Sequence, residues 1–283
     1  MLIKPSKEEA EKSIDFAWEL AQDTSRSGYP IYTDGIKTKK DFVDFCGRAW
    51  YRENVLALLY LEDGDVSGWI QFSFEKGSSY LQTEVFNIAG DTRRALEEFI
   101  VFCTENFAGY ELYLGFPADN QTAIGCLLEK GWNCLERAFH DVIYLTHYEI
   151  QQESAEIVRV TKANFQDFRK LHEPIQEQMY WTCDRLYENL GSWCIWICYQ
   201  EGLPMAAIYH TDEKIQCEIF GVDFKAGRYN ERIFRSLLTK VLNECKRRGK
   251  KYMIFFNDDQ TQQTALDIGF TCVGKYMLFA KNV

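Results

Sequence analysis

The chain has 283 residues, 46% hydrophobic and 15% aromatic, with a formal charge of −10 and a pI near 5.1. That length suits two domains of roughly 100–200 residues each. The acidic balance argues against nucleic acid or an anionic membrane as the main partner, because binding phosphates takes a net basic surface. No apolar run approaches the ~18 residues that a membrane helix needs. The stretch from Met1 to Glu9 lacks the long apolar core of a signal peptide, so a cytoplasmic location is expected.

The first half opens on a helical pattern over 9–22, with Ile14, Ala17, Trp18 and Ala21 on one face. A loop with Ser25, Ser27, Gly28, Pro30 and Gly35 leads to a second helix over 39–52. Strand-like runs follow at 55–61, 68–74 and 80–88, the first closed by the turn signal Glu62-Asp63-Gly64-Asp65. Next come a helix over 92–106, capped by Asp91 or Thr92, and a strand over 110–115. A helix over 120–130 is stopped by Gly131, and a strand spans 136–145.

A polar linker at 149–155, with Gln151, Gln152, Glu153 and Ser154, divides a domain at 1–148 from one at 156–283. The second half repeats the order: a strand at 157–160, helices at 164–175 and 184–190, and strands at 194–199, 205–210 and 215–223. A long helix at 231–248, a strand at 251–256, a helix at 261–268 ended by Gly269 and a strand at 273–280 complete it. The second half reads β-α-α-β-β-β-α-β-α-β, and the first half follows the same order from its first helix. That order predicts an α/β (α+β mixed-sheet) fold, a twisted mixed sheet flanked by helices, built twice.

Local sequence supports the duplication. Gln82-Thr83-Glu84-Val85-Phe86 returns as Gln216-Cys217-Glu218-Ile219-Phe220, and Gly131-Trp132-Asn133-Cys134 as Gly269-Phe270-Thr271-Cys272. Gly64 and Gly202 lie 202 − 64 = 138 apart, Gly131 and Gly269 lie 269 − 131 = 138 apart, and Glu84 and Glu218 lie 218 − 84 = 134 apart. A period near half the chain is a doubling rather than a solenoid of ~20–50-residue repeats. The ten cysteines form no CxxC pair and are expected to be buried, reduced and hydrophobic in role. The four histidines, 140, 147, 172 and 210, show no metal-ligand spacing, and no metal is expected.

The segment Asn120-Gln121-Thr122-Ala123, continuing through Leu127 to Gly131-Trp132, is similar to the pattern of the GNAT acyltransferase superfamily: Asn, Ala three on, Leu or an aromatic seven on, Gly-aromatic eleven on. With the element order, the chain resembles two tandem GNAT-like acyltransferase domains, once per half. The second copy, from Asn257 to Gly269-Phe270, is one residue longer and lacks the alanine. The resemblance implies that acyl-CoA binds where the central strands splay. Its diphosphate would lie on backbone N–H groups at the start of the long central helix. Both loops are degenerate. The first has Arg93 and Arg94 but not the spaced glycines, and sets Asp91 beside them; the second also lacks the spacing but carries Lys225, Arg228, Arg232 and Arg235. The implied cofactor-binding residues are Gly227, Arg228, Tyr229, Asn230 and Arg232, with Asn257 and Asn120 at the strand-to-helix turns.

In this family a glutamate on the fourth strand often takes the amine proton, which points to Glu218 and Glu84. Period two would put Gln82, Glu84, Phe86 and Ile88 on one face, and Gln216, Glu218, Phe220 and Val222 likewise. The alternative is that each glutamate pairs with a neighbouring lysine or faces solvent at the sheet. The tyrosine acid often found on the family's short helix has no counterpart: Leu127, Leu128, Ala265 and Leu266 stand there, and Tyr276 in the last strand reads as a packed aromatic. Tyr180-Trp181 with Asp184, and its counterpart from Tyr29 to Asp34, fall where the family builds its acceptor pocket. The implied function is an acetyl-CoA-dependent N-acetyltransferase acting on a small amine or peptide N-terminus, with one half catalytic and one structural. The alternatives are a non-catalytic GNAT-like protein that binds a ligand or partner, and an aminoacyl-tRNA-dependent transferase, which the charge disfavours.

Overall fold

A computed structural model of the chain describes residues 1–153, 155–176, 179–213 and 215–283; Ser154 of the expected linker lies outside them. The elements are β1 (Leu2–Ile3), α1 (Lys7–Ala21), α2 (Lys39–Cys46), β2 (Val55–Glu62), β3 (Asp65–Glu75), β4 (Tyr80–Ile88), α3 (Thr92–Asn106), β5 (Glu111–Pro117), α4 (Gln121–Glu129) and β6 (Asn133–Tyr144). They continue with β7 (Glu156–Arg159), α5 (Phe165–His172), α6 (Cys183–Glu188), β8 (Trp193–Gln200), β9 (Leu203–Thr211), β10 (Gln216–Phe224), α7 (Glu231–Arg247), β11 (Tyr252–Asn257), α8 (Gln262–Ile268) and β12 (Thr271–Asn282). The second expected helix stops at Cys46 and tightens into a 3-10 turn over Gly47–Trp50. Among the described residues no helix is long and apolar enough to cross a membrane.

The chain forms two compact units, and they are not its contiguous halves. Unit 1 comprises Met1–Arg137 and Gly274–Val283, whereas unit 2 comprises Ala138–Val273. Each unit completes its sheet with the other half's last strand. In unit 1, β1 to β4 are antiparallel neighbours, β4 pairs β5 in parallel, and β12 closes on β5 from Tyr276↔Pro117 to Asn282↔Glu111. Unit 2 repeats this: β7 to β10 are antiparallel, β10 pairs β11 in parallel, and β6 closes on β11 from Tyr252↔Tyr144 to Asn257↔Phe139.

Helices cover both faces of each sheet. In unit 1, Phe42, Trp69 and Val85 pack with α1 and α2 on one face, while Phe72, Phe86, Phe99 and Leu127 pack with α3 and α4 on the other. In unit 2, Phe168 and Trp193 belong to the α5–α6 face, and Ile219, Phe234 and Leu238 to the α7–α8 face. Local chemistry fixes the helix starts. Ser6 with Glu9, and Thr38 with Asp41, form reciprocal capping boxes at α1 and α2.

Asn243, fully buried on α7, holds part of the segment expected as a linker. Its Oδ1 accepts from the Tyr148 hydroxyl and the Gln151 N–H, and its Nδ2 donates to the Gln151 carbonyl and to Glu153. Burial pushes the Glu153 carboxyl up, but hydrogen bonds from Lys240, Asn243 and Arg247 outweigh it and hold the group at about 2. Its contribution to stability is therefore present above the unfolded value of about 4.3 and is lost as pH falls toward the folded one. Asn243→Ala strands several buried polar groups. It should cost roughly 2–3 kcal/mol in urea unfolding; a loss below about 0.5 kcal/mol, the range of neutral surface changes, would show that the clamp does not stabilise the unit.

Candidate functional site

In both units the central parallel ladder is short. In unit 1 it spans Tyr80↔Glu111 to Gln82↔Tyr113, and past it β4 and β5 take other partners. The Ile88 N–H donates to the Arg26 carbonyl, and the Tyr29 N–H donates to the Gly115 carbonyl, at 3.0 Å each. The segment 26–29 thus lies between the two strands. A Cβ on Gly28 would stand 3.1 Å from Phe86 Cβ and 3.3 Å from the Gly115 carbonyl oxygen, so a larger residue does not fit without displacement. Asn120 pins this insert: its Nδ2 donates to the Ser27 carbonyl, while its Oδ1 caps α4 by accepting from the Ala123 N–H. Both halves of the Asn120 amide are spent on backbone.

The start of α3 is also occupied by the protein itself. Glu62 accepts from the Asp91 N–H at 2.9 Å, and Asp91 accepts from the Arg94 N–H at 3.0 Å. A Cβ on Gly90 would fall 1.7 Å from the Glu62 carboxylate. Two carboxylates therefore sit at the helix end that attracts anions. Arg93 forms a two-bond pair with Glu129, and Arg94 bonds Glu98. Beside them is a cavity of about 290 Å³ lined by Arg26, Ala89, Gly90 and Asp119 among others.

Unit 2 is built differently at the same place. Its ladder runs from Gln216↔Tyr252 to Ile219↔Phe255. A turn through Ala226 (φ 53°) and Gly227 (φ 64°) enters α7, whose cap is the neutral Asn230, accepting from the Ile233 N–H at 3.1 Å. Lys225, Arg228 and Arg232 are exposed there. The Tyr229 hydroxyl shares a hydrogen bond with Thr264 on α8, and Arg235 is taken by Glu231 and Asp267. Asn257 is turned away from this turn, its Nδ2 bonding Asp141 on β6. The expected residues 227–232 therefore gather at one helix start, whereas Asn257 and Asn120 make protein contacts of their own.

The strand glutamates sit at or beside bulges that the alternating pattern does not reveal. On β4, Gln71 faces Val85 and Phe72 faces Thr83, which leaves Glu84 as the extra residue. Phe86 and Ile88 join the core under α3, but Glu84 pairs with Arg48 at 2.6 Å and accepts from Gln71 at 3.1 Å. The shared face expected for Gln82, Glu84, Phe86 and Ile88 does not exist, because one inserted residue reverses the alternation. On β10 the extra residue is Phe220, between Ile219↔His210 and Gly221↔Tyr209. Val222 accordingly packs toward the α7 core, while Phe220 is exposed and meets Trp193 at 5.0 Å. Glu218 is half-buried, two residues before that bulge, with its N–H donating to Thr211. Tyr276 belongs to unit 1, where its ring meets Tyr29 edge-on at 4.5 Å.

Unit 2 also holds a buried pair that no sequence pattern marks. His172 Nδ1 lies 2.8 Å from Asp223 Oδ2, and Nε2 lies 2.7 Å from the Trp181 carbonyl. Phe168 and Tyr209 enclose the ring at 5.1 and 5.4 Å. Two acceptors on one imidazole favour protonation at both nitrogens. Burial opposes the cation, but the bonds to Asp223 and Trp181 outweigh it and raise the His172 pKa. A raised histidine stabilises the fold below its unfolded value of about 6.5, and the contribution fades as pH rises through the folded value. Wild-type stability in urea should therefore decline from about pH 6.5 upward, and Asp223→Asn should remove that decline. An unchanged slope in the variant would exclude the pair as its source.

No protein-family model matches the chain, and no curated protein sequence does. Solved structures do. A GCN5-related N-acetyltransferase from Sphaerobacter thermophilus superposes with a TM-score of 0.66 at 14% identity, over 99% of this chain and 95% of that one. A tandem GNAT protein from the clavulanic acid biosynthesis pathway gives 0.56 at 10% identity, over 99% and 98%. Saccharomyces cerevisiae N-myristoyltransferase with bound myristoyl-CoA gives 0.52 at 8% identity, over 100% and 78%. With the strand order and the paired parallel ladders, these likenesses establish that the chain has the fold of the GCN5-related N-acetyltransferases, the GNAT fold, in a tandem arrangement.

Proposed function

We propose that the protein is an acyl-CoA-dependent N-acyltransferase whose second unit carries the reaction and whose first unit is structural. The observation behind this reading is the contrast between the two grooves. In unit 1, residues 26–29 lie between the splayed strands, and Glu62 accepts from the amide that a diphosphate would use. In unit 2, the corresponding helix start has a neutral cap and the exposed cations Lys225, Arg228 and Arg232. A polyanion is favoured at the second and repelled at the first. The similar N-myristoyltransferase holds myristoyl-CoA, which supports an acyl-CoA cosubstrate here.

On this reading Glu218 accepts the proton of the attacking amine, directly or through water, and the thiolate leaves as the carbonyl re-forms. Glu84 is the weaker candidate, because the Arg48 ion pair already commits it. The acceptor would lie near the aromatic run on the α5–α6 face. There Tyr180 meets Trp181 at 5.3 Å, Trp181 meets Trp193 at 4.8 Å, and Trp193 meets Phe220. Rings of this kind suit a small amine or a peptide N-terminus.

Thermal unfolding with millimolar acetyl-CoA tests the assignment. Ligand at 100 times its Kd adds about 2.7 kcal/mol of apparent stability. Arg228→Glu and Arg232→Glu should abolish the shift, and Arg93→Glu should leave it intact. Glu218→Gln should keep the shift but slow acyl transfer by about 10²–10⁴-fold. No shift in the wild type removes the acyl-CoA reading, and a shift lost only in Arg93→Glu moves the site to unit 1. Binding without transfer to any amine would favour a ligand-binding protein, a reading supported by the absence of a tyrosine within Gln121–Glu129 and Gln262–Ile268.

A further inference from the structure

Three donors from distant parts of the sequence meet inside unit 2. They are His210 at the end of β9, Cys217 at the start of β10 and Cys245 on the buried face of α7. All three are fully buried, and one ligand atom from each lies within 4.8 Å of the others. His210 Nδ1 is 2.8 Å from the Thr211 carbonyl, so it carries the ring proton and leaves Nε2 with its lone pair. Nε2 is buried and has no hydrogen-bond partner among the described residues.

The two sulfurs are 3.6 Å apart. A disulfide would need about 2.0 Å. Two thiolates at about 2.3 Å on a tetrahedral zinc stand about 3.8 Å apart, close to what is found. A backbone carbonyl fixing one imidazole nitrogen while the other faces a metal is the usual outer-shell arrangement of zinc-bound histidine. Two thiolates also neutralise a divalent cation, so metal and ligands together would carry no net charge. Lys250 lies near by, but its ammonium is held by Asp212 at 2.9 Å and by the Glu213 carbonyl.

We propose that His210, Cys217 and Cys245 form a zinc-class metal site that ties β9, β10 and α7 together. Three protein donors leave a fourth position to a water molecule. The site lies on the α7 face of the sheet and is independent of the acyl-transfer reading.

Full-length protein, reduced and stripped by chelator, would be titrated with Co²⁺ and then with Zn²⁺. One equivalent of Co²⁺ should give a thiolate-to-metal charge-transfer band that Zn²⁺ abolishes, and Zn²⁺ should raise the melting temperature. Cys217→Ser and Cys245→Ser should each lose about half the band, set by one thiolate of the Cys₂His set. His210→Gln should weaken binding by about 10-fold or more, and Cys194→Ser should not. X-ray absorption of the zinc-loaded wild type needs no variant: two sulfurs near about 2.3 Å and one nitrogen near about 2.0–2.1 Å are expected. The proposal is overturned by no band in the wild type, by a band unchanged in the double cysteine variant, or by an intact mass showing a Cys217–Cys245 disulfide in protein purified without reductant.

Discussion

The short parallel ladder at the centre of each sheet governs what lies around it. Three paired positions join β4 to β5, and four join β10 to β11. Beyond them two strands diverge while remaining buried on both faces, and every freed N–H and C=O must find another partner. The same divergence sets the long helix start at the mouth of the opening. A wedge of unpaired backbone beside a helix N-terminus suits an extended, polar, anionic molecule. Unit 1 meets this demand with its own chain and its own carboxylates. In unit 2 the corresponding helix start carries a turn rich in exposed cations.

That difference separates two copies of one architecture without changing the architecture. Gly28 lets the insert approach Phe86 and Gly115, and Asn120 holds the insert by its amide. Glu62 lies on the β2–β3 hairpin, outside the loop that follows β4, yet its carboxylate reaches the α3 start. None of these residues alters the sheet. Each converts a potential ligand contact into an internal one.

Much of this was legible in the sequence. The order of helices and strands follows from periodicity, and the doubled segments around Glu84 and Glu218 identify the repeat. The cations at 225–232 stand out by charge alone. The bulges were not legible, because one extra residue in β4 or β10 leaves no mark on residue types while it turns Phe86 and Val222 to the opposite face. The insert at 26–29 reads only as a loop, since its partners Ile88 and Gly115 are remote in sequence. His172 with Asp223, and His210 with Cys217 and Cys245, lack any fixed spacing because each member comes from a different element. Strand partners were equally hidden: the run at 136–145 reads as a strand, but nothing in it says which edge it joins.

The reciprocal placement of β6 and β12 bears on how the polypeptide acquires its shape during synthesis. Domains made early in translation usually fold before later ones. Here unit 1 draws its closing strand from Gly274–Val283, which follows every other described element. Until that strand arrives, the β5 edge is an open template for pairing. The unit translated first is thus the last to be finished, and a growing chain must carry an unsealed edge past the whole of unit 2.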